Sequence, residues 1–300
     1  MTAPSEITAL ESTATVFADE WERIERSGPV PVHIRNVEVV SYGDFCELLT
    51  SGNRDRLRSF AESLYAGDGF IIKGAYSQEF MNEVIARSVT YAKAEEPSFH
   101  KMYDDAPDFH RVIEQSVAGN YGAFAIRHVF HFYNWNDDPV GMIDEMDRRW
   151  AYFKALSGNS PLAFTRNKPS DGVIDRYHVY HYPKGGGSLE THSDPINNQR
   201  TILAAMASKR GDSYDKGGFY FVEADGTHRD CEPMIDIGDM VICYASVYHG
   251  VEMIDPDDDL DWSPDCGRWF LGLYSVDSDH VKDRTTVIGV APEKEMSRVL

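Results

Sequence analysis

Arg176-Tyr177-His178-Val179-Tyr180-His181-Tyr182, then Pro183-Lys184-Gly185-Gly186-Gly187, then Leu189-Glu190-Thr191-His192-Ser193-Asp194, is the stretch of this chain that decides its fold. The first run is rich in aromatic and β-branched residues and reads as a strand. The Pro/Gly segment breaks it, and the second run is a strand ending in two groups that bind metals. Runs of the same texture follow at roughly ten-residue spacing, separated by Gly, Asp and Pro. They are 200–207, 217–223, 228–235, 239–245, 248–254 and 268–276, making eight with 176–182 and 189–194. Eight short strands in succession predict a jelly roll.

Upstream the texture is different. Phe17 to Ile24 has helical spacing, Pro29-Val30-Pro31-Val32 breaks it, and Val37 to Val40 reads as a short strand. The first 50 residues are therefore expected to be a peripheral layer. Leu57, Phe60, Ala61 and Leu64 predict a helix over 54–65, Gly67-Asp68-Gly69 ends it, and Phe70-Ile71-Ile72 begins a buried strand. A second helix is expected over 78–92, a strand over 123–133 and a helix over 142–156. The fold class is thus mainly β with flanking helices. Residues 1–175 form an N-terminal support and pocket region, 176–276 the jelly-roll core, and 277–300 a tail, all in one domain.

The formal charge of −20 argues against a nucleic-acid partner, which needs clustered Lys and Arg, and against an anionic membrane surface. It is compatible with a cationic substrate, although acidity alone more often serves solubility. Met1 to Thr13 has no basic region followed by an apolar run, and no stretch is long and apolar enough for a membrane span. Cys46, Cys231, Cys243 and Cys266 are widely spaced without a CxxC pair, the usage expected of a reduced, cytoplasmic protein.

The chemistry rests on His-x-Asp. Two imidazoles and one carboxylate can hold one face of a ferrous ion and leave other positions open. The chain has two such triplets, His192/Asp194 with the later His249, and His228/Asp230 with the later His280. His192 ends a strand and His249 opens one that pairs near it, so both are expected at one mouth of the barrel. His228 follows Asp225-Gly226, a hairpin signal, and His280 lies after the last strand. The first set is preferred. Arg268 opens the apolar run Trp269 to Tyr274, and a buried arginine needs a partner. The two candidates are a loop aspartate such as Asp265, or the distal carboxylate of a dicarboxylate ligand.

These pieces resemble the iron(II)- and 2-oxoglutarate-dependent oxygenases. They are Tyr182-Pro183-x-Gly, His192-Ser193-Asp194-Pro195, Gly217-Gly218-Phe219-Tyr220-Phe221, Gly238-Asp239, Tyr248-His249-Gly250-Val251 and Arg268. Phe70-Ile71-Ile72-x-Gly74 before a helix is similar to the N-terminal support of the phytanoyl-type hydroxylases in that group. The resemblance implies a double-stranded β-helix, with His192, Asp194 and His249 binding Fe(II) and Arg268 pairing with the C5 carboxylate of 2-oxoglutarate. It implies O2 as the further co-substrate, with Tyr182 and Tyr180 lining the co-substrate pocket. Arg268 follows His249 by 19 residues, more than is common in the family, and the acidic insertion 255–265 accounts for the difference.

The expected activity is hydroxylation of an unactivated C–H in a small molecule of specialised metabolism. Asp194 disfavours halogenation, whereas desaturation, cyclisation and epimerisation use the same ligands. A metal enzyme that takes no 2-oxoglutarate and a catalytically inactive barrel that serves binding are the alternatives from other classes. His131 and Trp135 are candidate substrate contacts, with Phe132 and Tyr133 as apolar walls. The Asp255-x-Asp257-x-Asp259 spacing fails as an EF-hand, because Leu260 and Cys266 stand where glycine and glutamate are required. A solvated loop, or a lid, is expected there instead.

Overall fold

The computed structural model describes residues 4–119 and 123–287, so part of the expected tail 277–300 lies outside the described residues. All eight core strands form: β5 (Val173–Tyr182), β6 (Ser188–His192), β7 (Thr201–Met206), β8 (Gly218–Val222), β9 (His228–Asp230), β10 (Met240–Tyr244), β11 (His249–Glu252) and β12 (Arg268–Asp277). β9 is shorter than the run 228–235 suggested. Pro233 cannot donate to a ladder, and the chain turns through a 3-10 segment, Glu232–Met234.

Successive strands alternate between two sheets except at the β8–β9 hairpin. β5, β12, β7 and β10 are neighbours in one, and β6, β11, β8 and β9 in the other. This is the double-stranded β-helix order. The first sheet is extended on one side by β2 (Asp68–Lys73) and β1 (Asn36–Ser41), and on the other by β4 (Ala125–Tyr133) and β3 (Phe109–Ile113). The first residues of β4 also pair with β6, through Ala125↔Leu189 and Ile126↔Ser188, and so join the two sheets.

Side chains alternate across each strand. On β5, Arg176, His178, Tyr180 and Tyr182 point into the barrel. Tyr177 turns the other way, its hydroxyl donating to Asp147 at 2.6 Å on α6 (Ile143–Leu156). The outer face of the first sheet is covered by helices, as the N-terminal support required. Beneath α6, Lys154 and Asp175 form a fully buried ion pair at 2.5 Å.

The first 50 residues are more than a peripheral layer. In α1 (Pro4–Glu25), Phe17 and Trp21 are completely buried, and the Trp21 indole donates to the Leu156 carbonyl at 2.7 Å. α2 (Tyr42–Thr50) was not expected. Ser41 caps it by accepting from the Asp44 amide, and Phe45 and Leu49 meet one turn apart on its buried side. It begins directly at the end of β1 with Gly43 in its first turn, which hid the boundary. α3 (Arg54–Tyr65) and α4 (Gln78–Ala94) match the helical spacing.

Candidate functional site

The Pro183–Gly187 turn sends the chain from the first sheet into the second, and β6 delivers His192 to the barrel mouth. There His249, the first residue of β11, sits directly opposite His192 in the antiparallel register. Asp194 lies just past β6, tied by its amide to the Ala245 carbonyl at 2.9 Å. The three ligand atoms converge within 4.8 Å of one another. Asp194 Oδ1 is 3.9 Å from His192 Nε2, and Oδ2 is 3.7 Å from His249 Nε2.

Both imidazoles are oriented by backbone. His192 Nδ1 donates to the Glu190 carbonyl at 3.0 Å, and His249 Nδ1 to the Val247 carbonyl at 2.9 Å. A carbonyl can only accept, so in the neutral rings the lone pairs are on Nε2 and face each other across Asp194. Burial, reinforced by the neighbouring His249 ring, pushes His192 down to about 4, which keeps it a neutral ligand. Asp194 Oδ2 is buried without a hydrogen-bond partner among the described residues. Two converging lone pairs and an orphaned carboxylate oxygen fit a divalent metal.

The rival set does not assemble. His228 is on the β8–β9 hairpin, stacked on Tyr220 with ring centroids 3.9 Å apart and paired through Nδ1 with Glu252 at 2.5 Å. Asp230 pairs with Arg210, and His280 with Asp104. Among the described residues the His192–Asp194–His249 group is the one cluster with metal-ligand geometry.

The ligands open onto a cavity of about 540 Å³ lined by both sheets. No family model and no curated protein matches the chain at the level of sequence. Solved structures do. A full-length Neurospora crassa protein in complex with α-ketoglutarate and thymine matches at a TM-score of 0.51 and 12% identity, over 86% of this chain and 91% of that one. The same protein with α-ketoglutarate and 5-formyluracil also matches at 0.51 and 12%, over 87% and 94%. A putative 2OG-Fe(II) oxygenase family protein from Caulobacter crescentus aligns at 0.46 and 12%, over 89% and 99%. The shared fold is the double-stranded β-helix.

Arg268 is where the sequence led, at the start of β12 opposite Tyr182, buried and on the cavity wall. Its partner was not foreseen. Arg268 Nε donates to Glu232 Oε1 at 2.7 Å, and Nη2 lies 3.0 Å from Met206 Sδ. The loop aspartate Asp265 plays no part in this pair. Glu232 is itself held by the Tyr214 hydroxyl at 2.6 Å and the Phe219 amide at 2.7 Å. Burial opposes the charge on Arg268, but Glu232, Tyr214 and Tyr182 together outweigh it, so its pKa is raised. Gly218 makes room for this arrangement: its φ is +117°, and a Cβ there would collide with the Glu232 side chain.

Tyr182 and Tyr180 both line the cavity, their rings stacked against Phe270 at 5.9 and 4.6 Å. His131 lines it too, while His128 points to the opposite face of β4 and meets His110 at 2.8 Å. Trp135 is a correction. It lies off the cavity, stacked on Tyr133 with its indole donating to the Ala106 carbonyl at 2.9 Å, and closes a small satellite core. Phe132 likewise faces away, towards Tyr91, because strand alternation puts it opposite His131 and Tyr133.

The acidic loop 255–265 does not reach the cavity wall. It is pinned on the Pro183–Gly187 turn by Lys184–Asp258 at 3.1 Å and by the Lys184↔Asp261 bridge. The outer end of the cavity is bounded instead by residues 99–102 and 284–287. Sequence reasoning also missed Arg127 and Arg176, both on the cavity wall. Their signal was present: each shares the inward parity of a residue already assigned, His131 for Arg127 and Tyr180 for Arg176.

Proposed function

We propose that this chain is an iron(II)- and 2-oxoglutarate-dependent oxygenase that hydroxylates an unactivated C–H bond of a small molecule. The convergence of two Nε2 lone pairs and the orphaned Asp194 oxygen on the wall of the cavity carries this reading. His192, Asp194 and His249 would hold the metal, and Arg268 would take the distal carboxylate of 2-oxoglutarate. When bound, iron and 2-oxoglutarate supply the oxidising power by coupling decarboxylation to reduction of O2.

The protein's contribution is orientation and dry walls. Glu232 occupies Nε of Arg268 and fixes the plane of the guanidinium, leaving Nη1, and the Nη2 hydrogen not directed at Met206 Sδ, as donors for a carboxylate. Tyr180, Tyr182 and Phe270 wall the space between that guanidinium and the metal ligands. Retention of Asp194 supports hydroxylation over halogenation.

The pairing of Arg268 with Glu232 also favours a second reading, a metal enzyme without a dicarboxylate co-substrate, since the arginine charge is already met. Anaerobic titration with Fe(II) and 2-oxoglutarate decides between the two. The native protein is expected to develop a weak visible charge-transfer band that a chelator abolishes. Arg268→Ala is expected to shift its half-saturation to higher 2-oxoglutarate. Absence of the band in native protein sinks the co-substrate assignment, and a band indifferent to Arg268→Ala sinks the role of that arginine.

A further inference from the structure

The cavity contradicts the charge of the chain around it. The protein carries a net charge of −20, yet the described carboxylates on the cavity wall are only Asp194, at the metal site, and Asp279, matched to Arg284 at 2.8 Å. Two guanidiniums on the same wall have no carboxylate partner among the described residues. Arg127 Nε is buried without a hydrogen-bond partner among those residues, Nη1 reaches only the Tyr182 hydroxyl at 3.4 Å, and the group lies over the Tyr180 ring at 4.8 Å. Arg176 donates to His178 Nε2 at 2.6 Å and to Met102 Sδ, neither of which is an anion. Both arginines are partly buried and line the cavity. A buried charge of this kind needs a counter-charge.

The hydrogen-bond direction sharpens the point. Arg176 Nε–H can only donate, so His178 Nε2 accepts and the ring proton is on Nδ1. That proton goes to the Tyr180 oxygen, leaving the Tyr180 hydroxyl hydrogen free to be donated into the cavity. His131, between these groups, has both ring nitrogens buried and unpartnered among the described residues. Burial, and then the nearby Arg176, Arg111 and Arg127, hold it neutral. This wall therefore offers donors and positive charge with little to accept.

Position separates Arg176 from Arg268, with Arg127 between them on the Tyr182 hydroxyl and the Tyr180 ring. Arg176 and Tyr182 are six residues apart on β5, about 20 Å along a strand. Tyr182 pairs with Arg268, whereas Arg176 pairs with Tyr274 at the end bounded by Phe99 and Met102. Taking the co-substrate assignment above as given, we propose that the substrate is an organic anion with an apolar or aromatic body. Arg176, assisted by Tyr180 and Arg127, grips its acidic group, and Phe99 and Phe109 wall its body.

Calorimetric titration of the metal-free and of the Fe(II)/2-oxoglutarate-loaded protein tests this. The probes are 3-phenylpropionate, its neutral amide, phenethylamine and phenyl phosphate. The acid or the phosphate is expected to bind at least about tenfold tighter than the amide, more weakly as salt rises, and phenethylamine weakest of all. The stronger of the two anions identifies the acidic group. Arg176→Gln is expected to lose that preference and Arg176→Lys to keep part of it, with unchanged melting temperatures showing that both are folded. An amide that binds as well as both anions, or an anion preference untouched in Arg176→Gln and in Arg127→Gln, overturns the proposal. The charge-transfer band is read on the same samples. An anion preference without the band refutes the co-substrate reading alone, and the band without the preference refutes this one alone.

Discussion

The two His-x-Asp triplets are chemically alike in sequence and end up in opposite roles. His192-Ser193-Asp194 lies at the end of a strand whose neighbour begins with His249, so three donors meet. His228-Arg229-Asp230 lies on an outer hairpin, and each of its groups is taken by a separate surface partner. The second segment still bears on the cavity, but at one remove, through the buried Glu232, two residues past Asp230, which holds the cavity-lining Arg268. Spacing along the chain is a poor guide to metal binding, and strand register is a good one. What a segment contributes also depends on which residue the next turn buries.

Four substitutions press on this contrast, from the largest effect to the smallest. His249→Ala removes one of the three proposed ligands. Fe(II) affinity should fall by more than the roughly 10–100-fold typical of losing an outer partner, with 2-oxoglutarate consumption falling in parallel, as read by metal titration and succinate release. Native-like metal affinity in that variant would break the contrast outright. Glu232→Ala leaves Arg268 buried without its carboxylate, and should cost about 3–5 kcal/mol in denaturant unfolding. A smaller loss would mean that water or the cavity compensates the charge.

Gly218→Ala places a Cβ against the Glu232 side chain at a φ that only glycine adopts easily. It should destabilise by about 1–3 kcal/mol and weaken co-substrate binding with little change in Fe(II) affinity. His228→Ala should stay within about 0.5 kcal/mol of native stability and leave Fe(II) affinity unchanged. A measurable fall in metal affinity there would return the second triplet to consideration.

The β architecture was legible because strand texture is local. Alternating aromatic and β-branched runs between Gly, Asp and Pro located all eight strands, and the helices expected over 54–65 and 78–92 announced themselves by period, the second running on to Ala94. β3 was not legible, since Phe109–Ile113 carries His and Arg on a short run inside an irregular aromatic region. Trp135 was misassigned because it lies just past the end of β4, where alternation no longer says which way a side chain turns.

By itself, the sequence determined the eight-strand barrel, the identity of the three side chains that converge as candidate metal ligands, and the burial of Arg268. These follow from periodicity and from groups that must find partners once buried. Only the tertiary structure decided that Glu232 is the partner of Arg268 and that an acidic protein sets Arg127 and Arg176 on its cavity wall without a carboxylate partner among the described residues. Both depend on which strands become neighbours, and no local pattern records whether an inward-facing charge meets its opposite across the barrel.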